Sequence, residues 1–212
     1  MIEYHKIETV YNRDINGTKQ LVEGSFRNPL VEFLKDNEWE FTEKIDGTNI
    51  RIHWDGHKVN YGGRTERANI PAHLMNKLLE LFGTHETEEL FEQTFGETEV
   101  ILFGEGYGAK IQSGGGYRKD VSFILFDVMI GGNYQSRETV ESIATRFGIE
   151  VVPIVATGTL QDGIDFVKKH PCSTIGITMM EGVVGRPKVE MRDRCGNRVI
   201  VKIKWRDFKE LA

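Results

Sequence analysis

The sequence has almost no cysteine. Two residues, Cys172 and Cys195, stand in a chain of 212, too few for a disulfide framework and without the spacing of a zinc site, so a reducing, cytoplasmic setting is expected. Proline is also scarce, at five residues. With no Pro/Ser linker and no internal repeat to divide the chain, one domain over 1–212 is expected. No apolar run approaches the ~20 residues that cross a bilayer, so no membrane partner is expected. The opening MIEYHKIETVYNR lacks the apolar stretch of a signal peptide and carries acids that a transit peptide avoids. The six histidines show no ligand spacing. An excess of positive charge is missing as well: the net charge is −5, which by itself argues against nucleic acid as a partner.

The distribution of that charge says otherwise. Nine basic residues (Arg186, Lys188, Arg192, Arg194, Arg198, Lys202, Lys204, Arg206, Lys209) face three acidic ones between 186 and 209. That segment carries +6 and the rest of the chain −11. A basic run is commonly a solvated face. On an acidic body it also reads as a local anion site.

Periodicity supplies the elements. Residues 40–61 read as strands, with Asp55-Gly56 as a hairpin turn. From Pro71, Leu74, Leu78, Leu81 and Phe82 fall at helical spacing, and 86–95 reads as a second short helix. Val100 to Phe103 and Ser122 to Val128 are apolar strands, the second buried. Ser136 caps a helix through Phe147 whose inner face is Val140, Ile143, Ala144 and Phe147. A strand over 151–155 and a helix over 159–170 follow, then strands from Met180 onward, with Val201, Ile203 and Trp205 on one face and Lys202 and Lys204 on the other. Tyr4, Ile7, Phe26, Leu30, Phe33 and Leu34 are expected to pack the first 39 residues on the outer face. Helices and strands mix without a βαβ rhythm, which predicts an α+β fold.

Glu43-Lys44-Ile45-Asp46-Gly47-Thr48-Asn49 places a lysine at a strand end before a turn. Alone, a pattern as short as Lys-x-Asp-Gly usually marks a surface lysine beside a hairpin. A lysine nucleophile at neutral pH has to be held unprotonated by burial or by neighbouring cations. Further along come Arg64 in Gly62-Gly63-Arg64, Glu105 in Phe103-Gly104-Glu105, Phe126-Asp127, Glu181-Gly182-Val183-Val184, and Lys202-Ile203-Lys204. Gln112, Arg118 and Lys119 flank the run Gly114 to Gly116, which lacks the Gly-Lys-Ser/Thr of a P-loop and reads as a mobile surface loop.

In this order the residues resemble the motif series of the covalent nucleotidyltransferases, which include polynucleotide ligases and capping enzymes, over about 40–207. Lys44-Ile45-Asp46-Gly47-Thr48-Asn49, with the early Arg64 and with Gln112, is similar to the RNA ligase 2 family in particular. The resemblance implies a nucleotidyltransferase (ATP-grasp-like) adenylation domain of antiparallel sheets flanked by helices. It implies a reaction in which Lys44 takes AMP from ATP, passes it to a 5′-phosphate RNA end, and a 3′-hydroxyl then displaces it. Lys202 and Lys204 would contact the α-phosphate and lower the basicity of Lys44, and Glu105 would bind the ribose. Phe126 would stack on adenine and the Glu43 backbone would read its edge. Glu181 and Asp127 would orient Mg²⁺ or Mn²⁺. Arg64 and Asn49 would lie near the phosphate and the RNA end, and Gln112, Arg118, Lys119 and Arg186 on the RNA, expected to be a nicked duplex. Eight residues follow Lys204, too few for an OB-fold domain, so a minimal ligase, a truncated chain or a partner protein is expected. The setting implied is a bacterial or phage-infected cell. An RNA 5′-adenylating enzyme, a small DNA ligase, and a module that binds AMP or RNA ends without turnover are the competing readings.

Overall fold

A computed structural model describes residues 1–17, 20–112 and 114–208. Lys209 of the basic run and Ser113 beside the glycine run lie outside the described residues. In chain order the elements are β1 (Glu8–Thr9), β2 (Tyr11–Arg13), β3 (Leu21–Phe26), α1 (Pro29–Phe33), β4 (Trp39–Glu43), β5 (Thr48–Trp54), β6 (Val59–Gly62), α2 (Ala72–Phe82), α3 (His85–Phe95) and β7 (Val100–Gly108). There follow β8 (Val121–Ile130), β9 (Asn133–Tyr134), α4 (Arg137–Phe147), β10 (Glu150–Val151), β11 (Ile154–Gly158), α5 (Leu160–Lys168), β12 (Gly182–Pro187) and β13 (Val201–Lys204). The class is α+β, as the sequence predicts. The chain divides into two compact units, one of Met1–His5 with Asp46–Val152, the other of Lys6–Ile45 with the chain from Pro153 onward.

The first unit is built on a sheet in the order β10-β8-β7-β5-β6, with β9 added to β8. Alternation in β5 sends Ile50, Ile52 and Trp54 inward, where Val100 and Leu102 of β7 join them. Leu74, Leu78 and Phe82 of α2, Phe91 of α3, and Val140, Ile143 and Ala144 of α4 cover this face. Asp55 and Gly56 form the expected turn: Asp55 Oδ1 accepts the backbone N–H of His57 and Lys58, and Gly56 takes φ 96°. On the other face a smaller cluster forms from Ile101, Phe103 and Met129 with Met1, Tyr4, Phe126 and Tyr134.

In the second unit the sheet order is β1-β13-β12-β4-β11. Trp39, Phe41, Val183, Val201 and Ile203 make its buried face, against Leu160, Ile164 and Val167 of α5. That helix starts in a capping box between Thr159 and Asp162. Gly163 sets its approach to the sheet, since a Cβ there would stand 2.2 Å from the Phe41 ring.

Four local expectations are corrected. The strand expected over 151–155 breaks at Pro153: β10 joins the sheet of the first unit and β11 that of the second. Proline has no N–H for a ladder, and its carbonyl accepts the Glu43 N–H instead. Trp205 does not continue β13. It opens a 3-10 turn, and its ring stacks on His170 at 3.6 Å. Phe33 is 80% exposed, whereas Leu34 beside it is buried. The run Gly114–Gly116 folds as a 3-10 turn with Gly114 buried; a Cβ on Gly114 would meet the Gly108 carbonyl at 2.7 Å. Of the nine basic residues in the run, Lys188 is ion-paired with Glu38, and Arg192 and Arg198 with Glu190. Among the described residues no helix is long and apolar enough to cross a membrane.

Candidate active site

The residues singled out by sequence fall into two groups, one in each unit. In the second unit β4 delivers Lys44. Its backbone N–H donates to the Gly182 carbonyl at 2.9 Å, and Gly182 in turn stands opposite Lys204 of β13. Three adjacent strands therefore carry Lys44, Gly182 and Lys204 side by side, with the side-chain-free residue in the middle. Glu181, one residue before β12, closes the group: Oε2 accepts from Lys44 Nζ at 2.5 Å and Oε1 from Lys204 Nζ at 2.6 Å. Lys202, two residues from Lys204, shares its face of β13. Arg186 lies further along β12, opposite Glu40.

Burial by itself raises the Glu181 carboxyl, but the Lys44 and Lys204 ammonium groups outweigh it and hold the carboxyl below the usual carboxylate range. Burial lowers the Lys202 ammonium, and the charges on Lys204 and Lys44 lower it further. A carboxyl depressed in the folded chain contributes stability that is complete above its unfolded value and disappears as pH falls through the folded one. Glu181→Gln is accordingly expected to cost ~1–3 kcal/mol at pH 7, because it leaves Lys44 and Lys204 facing each other without a counter-charge. Tm measured against pH checks this. The gap from wild type should narrow as pH drops below the ordinary carboxylate range, and a gap independent of pH would defeat the assignment.

Glu43, immediately before Lys44, is 2% exposed. Its carboxylate accepts from Ser173 Oγ at 2.5 Å, from Thr174 N at 3.0 Å and from Thr174 Oγ1 at 2.7 Å. No local pattern marks these partners, which lie 130 residues or more away in the chain.

The first unit holds the other group. Asn49 of β5 pairs in register with Glu105 of β7, so the two side chains are neighbours on one face. Asn49 Oδ1 is buried with no hydrogen-bond partner. Gly47 packs close to this pair: a Cβ on it would meet the Gly106 carbonyl at 2.4 Å and Glu105 Cγ at 2.7 Å. The glycine of the Lys-x-Asp-Gly turn is thus required by close approach to β7. Between β7 and β8 the register shifts, from Phe103 opposite Asp127 to Gly104 opposite Leu125. Phe126 is the extra residue of this bulge, and so Phe126 and Asp127, though consecutive, both reach Tyr4. The Tyr4 hydroxyl donates to Asp127 Oδ2 at 2.9 Å, and the Tyr4 ring lies edge-on to Phe126 at 5.0 Å. Asp127 is fully buried. Tyr4 was expected only to pack outside; its position beside both residues has no sequence signature.

Arg64 is exposed and follows Gly63, whose carbonyl accepts from the buried Arg51 Nε at 2.7 Å. Gln112 and Lys119 are exposed, and Gln112 has φ 48°. Arg118 is engaged by Asp120, by Glu150 and by the Tyr107 hydroxyl, so a phosphate at Arg118 must compete with two carboxylates. Among the described residues no three His, Cys, Asp or Glu side chains form a group able to hold a metal ion.

Residues 37–204 match the model of a family described as RNA ligase. No curated protein matches. Among solved structures, a Naegleria gruberi RNA ligase variant with ATP and manganese superposes with a TM-score of 0.70 at 18% identity, over 100% of this chain and 58% of that one. An apo variant of the same enzyme gives 0.69 at 18% identity, over 99% and 57%. A third, with AMP and manganese, gives 0.65 at 18%, over 97% and 63%. At that identity the likeness establishes the fold. This chain spans less than two thirds of the length of these relatives.

Proposed function

The chain belongs to the RNA ligase family, and on that premise we propose that it is an ATP-dependent RNA ligase that works through a lysyl-AMP on Lys44. The observation that carries this reading is the Lys44–Glu181–Lys204 group. A nucleophilic amine there has a carboxylate that holds it in place and two further cations, Lys202 and Lys204, for the charge of a phosphate.

In the first step the Lys44 amine, having lost its proton, attacks the α-phosphorus of ATP. A P–N bond forms, the bond to the bridging oxygen breaks, and pyrophosphate leaves. Lys202 and Lys204 offset the charge that grows on the α-phosphate oxygens. An oxygen of an RNA 5′-phosphate then attacks the same phosphorus and releases Lys44. A 3′-hydroxyl finally attacks the activated 5′-phosphate and AMP departs. Each step is a displacement at phosphorus, with pyrophosphate, the Lys44 amine and AMP leaving in turn, which lets one set of cations serve all three.

The nucleotide is assigned to Glu105 for the ribose, Phe126 for the adenine face and the Glu43 backbone for its edge. The unpartnered Asn49 Oδ1 supports a donor from the nucleotide or the RNA end at that place, because a buried acceptor left alone is costly. Arg64 is assigned to the same end, and Gln112, Lys119, Arg118 and Arg186 to the RNA backbone. Glu181 is assigned as a protein ligand of a divalent cation that keeps water and phosphate oxygens around it, as magnesium does. Asp127 is the second carboxylate proposed for the cation, a role for which its bond to Tyr4 has to open. A divalent cation, when bound, supplies positive charge that offsets the phosphates and competes with Lys44 and Lys204 for Glu181. Relatives solved with ATP, with AMP and with manganese support the choice of nucleotide and cation.

The test is a nick-sealing assay. A 5′-labelled nicked RNA duplex with ATP and magnesium is expected to yield a sealed strand, faster than nicked DNA does. Accumulation of 5′-adenylylated RNA without sealing would assign the chain to RNA 5′-adenylation, and preference for DNA would assign it to DNA ligation. Binding of AMP with no product of any kind would remove the enzyme reading.

A further inference from the structure

The residues from 171 to 180 fold back on themselves. Met180 N–H donates to the Pro171 carbonyl at 2.9 Å, Ser173 N–H to the Thr178 carbonyl at 2.8 Å, and Cys172 bridges to Met179. Met180 is buried in the core of the second unit, and the next residue is Glu181. This short hairpin is tied at one end to Glu43 through Ser173 and Thr174. At its other end it presents Glu181 to Lys44. Its base is held too, because His170 stacks on Trp205, whose N–H donates to the Glu181 carbonyl at 3.0 Å.

Both ties therefore land on consecutive residues of one strand, Glu43 and Lys44. A buried carboxylate adds little to stability over an apolar residue of the same size. Three directed hydrogen bonds to it do fix the register of the two segments. We infer that Ser173 and Thr174 are positioning residues for lysine adenylation: by gripping the Glu43 carboxylate they lock the hairpin to the strand of Lys44 and hold Glu181 against the nucleophile. The inference rests on the reading of Lys44 as the nucleophile.

The experiment measures the rate of covalent labelling by α-labelled ATP with magnesium across ATP concentrations. Ser173→Ala/Thr174→Val is expected to lower the rate at saturating ATP on the order of 100-fold, since small misplacements in a reacting pair carry penalties of that size. The ATP concentration for half-maximal rate should move less than about twofold, as the defect lies in the reacting geometry and not in nucleotide binding. Ser173→Thr/Thr174→Ser keeps both hydroxyl donors and should stay within about threefold of wild type. Should the double variant not fold, Thr174→Val alone removes one bond and should slow labelling by about tenfold. A wild-type rate in the Ala/Val variant, or a change confined to the ATP concentration, would overturn the positioning role and leave Lys44 untouched. An unlabelled wild-type chain would overturn both.

Discussion

A Lys44→Arg chain incubated with α-labelled ATP and magnesium is expected to carry no covalent label, a loss of at least about a thousandfold against wild type. Arginine keeps a cation facing Glu181, so the ion pair that joins Lys44 to Glu181 at 2.5 Å persists in kind. Its guanidinium stays protonated at any working pH and has no lone pair for the α-phosphorus. The variant separates charge from nucleophilicity, which Lys44→Ala does not, because alanine also leaves Glu181 with Lys204 alone. The wild-type adduct should be a phosphoramidate, stable in alkali and broken by acid. Labelling of the Lys44→Arg chain would move the nucleophile elsewhere, with Lys204 the first to test. Labelling of wild type by GTP in preference to ATP would turn the reading toward capping chemistry.

Much of this site was legible before any coordinates, and the physical reason is locality. Lysine before Asp-Gly marks a strand end and a turn, and alternation alone puts Lys202 and Lys204 on one face of β13. The apolar periodicities of α2, α4 and α5 predict their buried residues because each helix covers a sheet with one stripe. What escaped depends on contacts distant in the chain. The grip of Ser173 and Thr174 on Glu43 spans 130 residues, and that of Tyr4 on Asp127 spans 123. The bulge that turns both Phe126 and Asp127 toward Tyr4 is a register shift between two strands. Neither strand announces it by itself. Pro153 lies inside the strand expected over 151–155, and a residue without an N–H for the ladder ends β10 there, while β11 enters the sheet of the other unit. The basic run shows the reverse case. Its charge count stands, yet three of its cations are paired with Glu38 and Glu190, and the members that come close to Lys44 and Glu181 are Lys202 and Lys204.

Gly182→Ala is expected to damage both stability and chemistry, and at a residue that itself bears no reactive group. Gly182 has φ +154°, and a Cβ built on it would stand 2.1 Å from the Ile203 carbonyl oxygen and 2.8 Å from Lys204 Cα. Both are backbone atoms of the neighbouring strand, so no side-chain rotation relieves the clash. An unfavourable backbone angle costs ~1–3 kcal/mol and overpacking a further ~1–3 kcal/mol. At ~2–4 °C per kcal/mol for a chain of this size, a fall in Tm of about 10 °C follows. The strand has a second way out, which is to move away from β13, and that widens the distance between Lys44 and Lys204 that Glu181 now spans. Labelling by α-labelled ATP at 15 °C, where the variant remains folded by circular dichroism, should therefore drop by on the order of 100-fold, beyond anything the unfolded fraction explains. Gly185 of the same strand offers the control. A Cβ there would meet the Phe41 ring at 2.8 Å, on the face away from the lysines, so Gly185→Ala should lower Tm while leaving the labelling rate of the folded chain within about threefold. Equal losses of labelling in the two variants would mean that the sheet as a whole, and not the spacing of the Lys44–Glu181–Lys204 group, sets the rate.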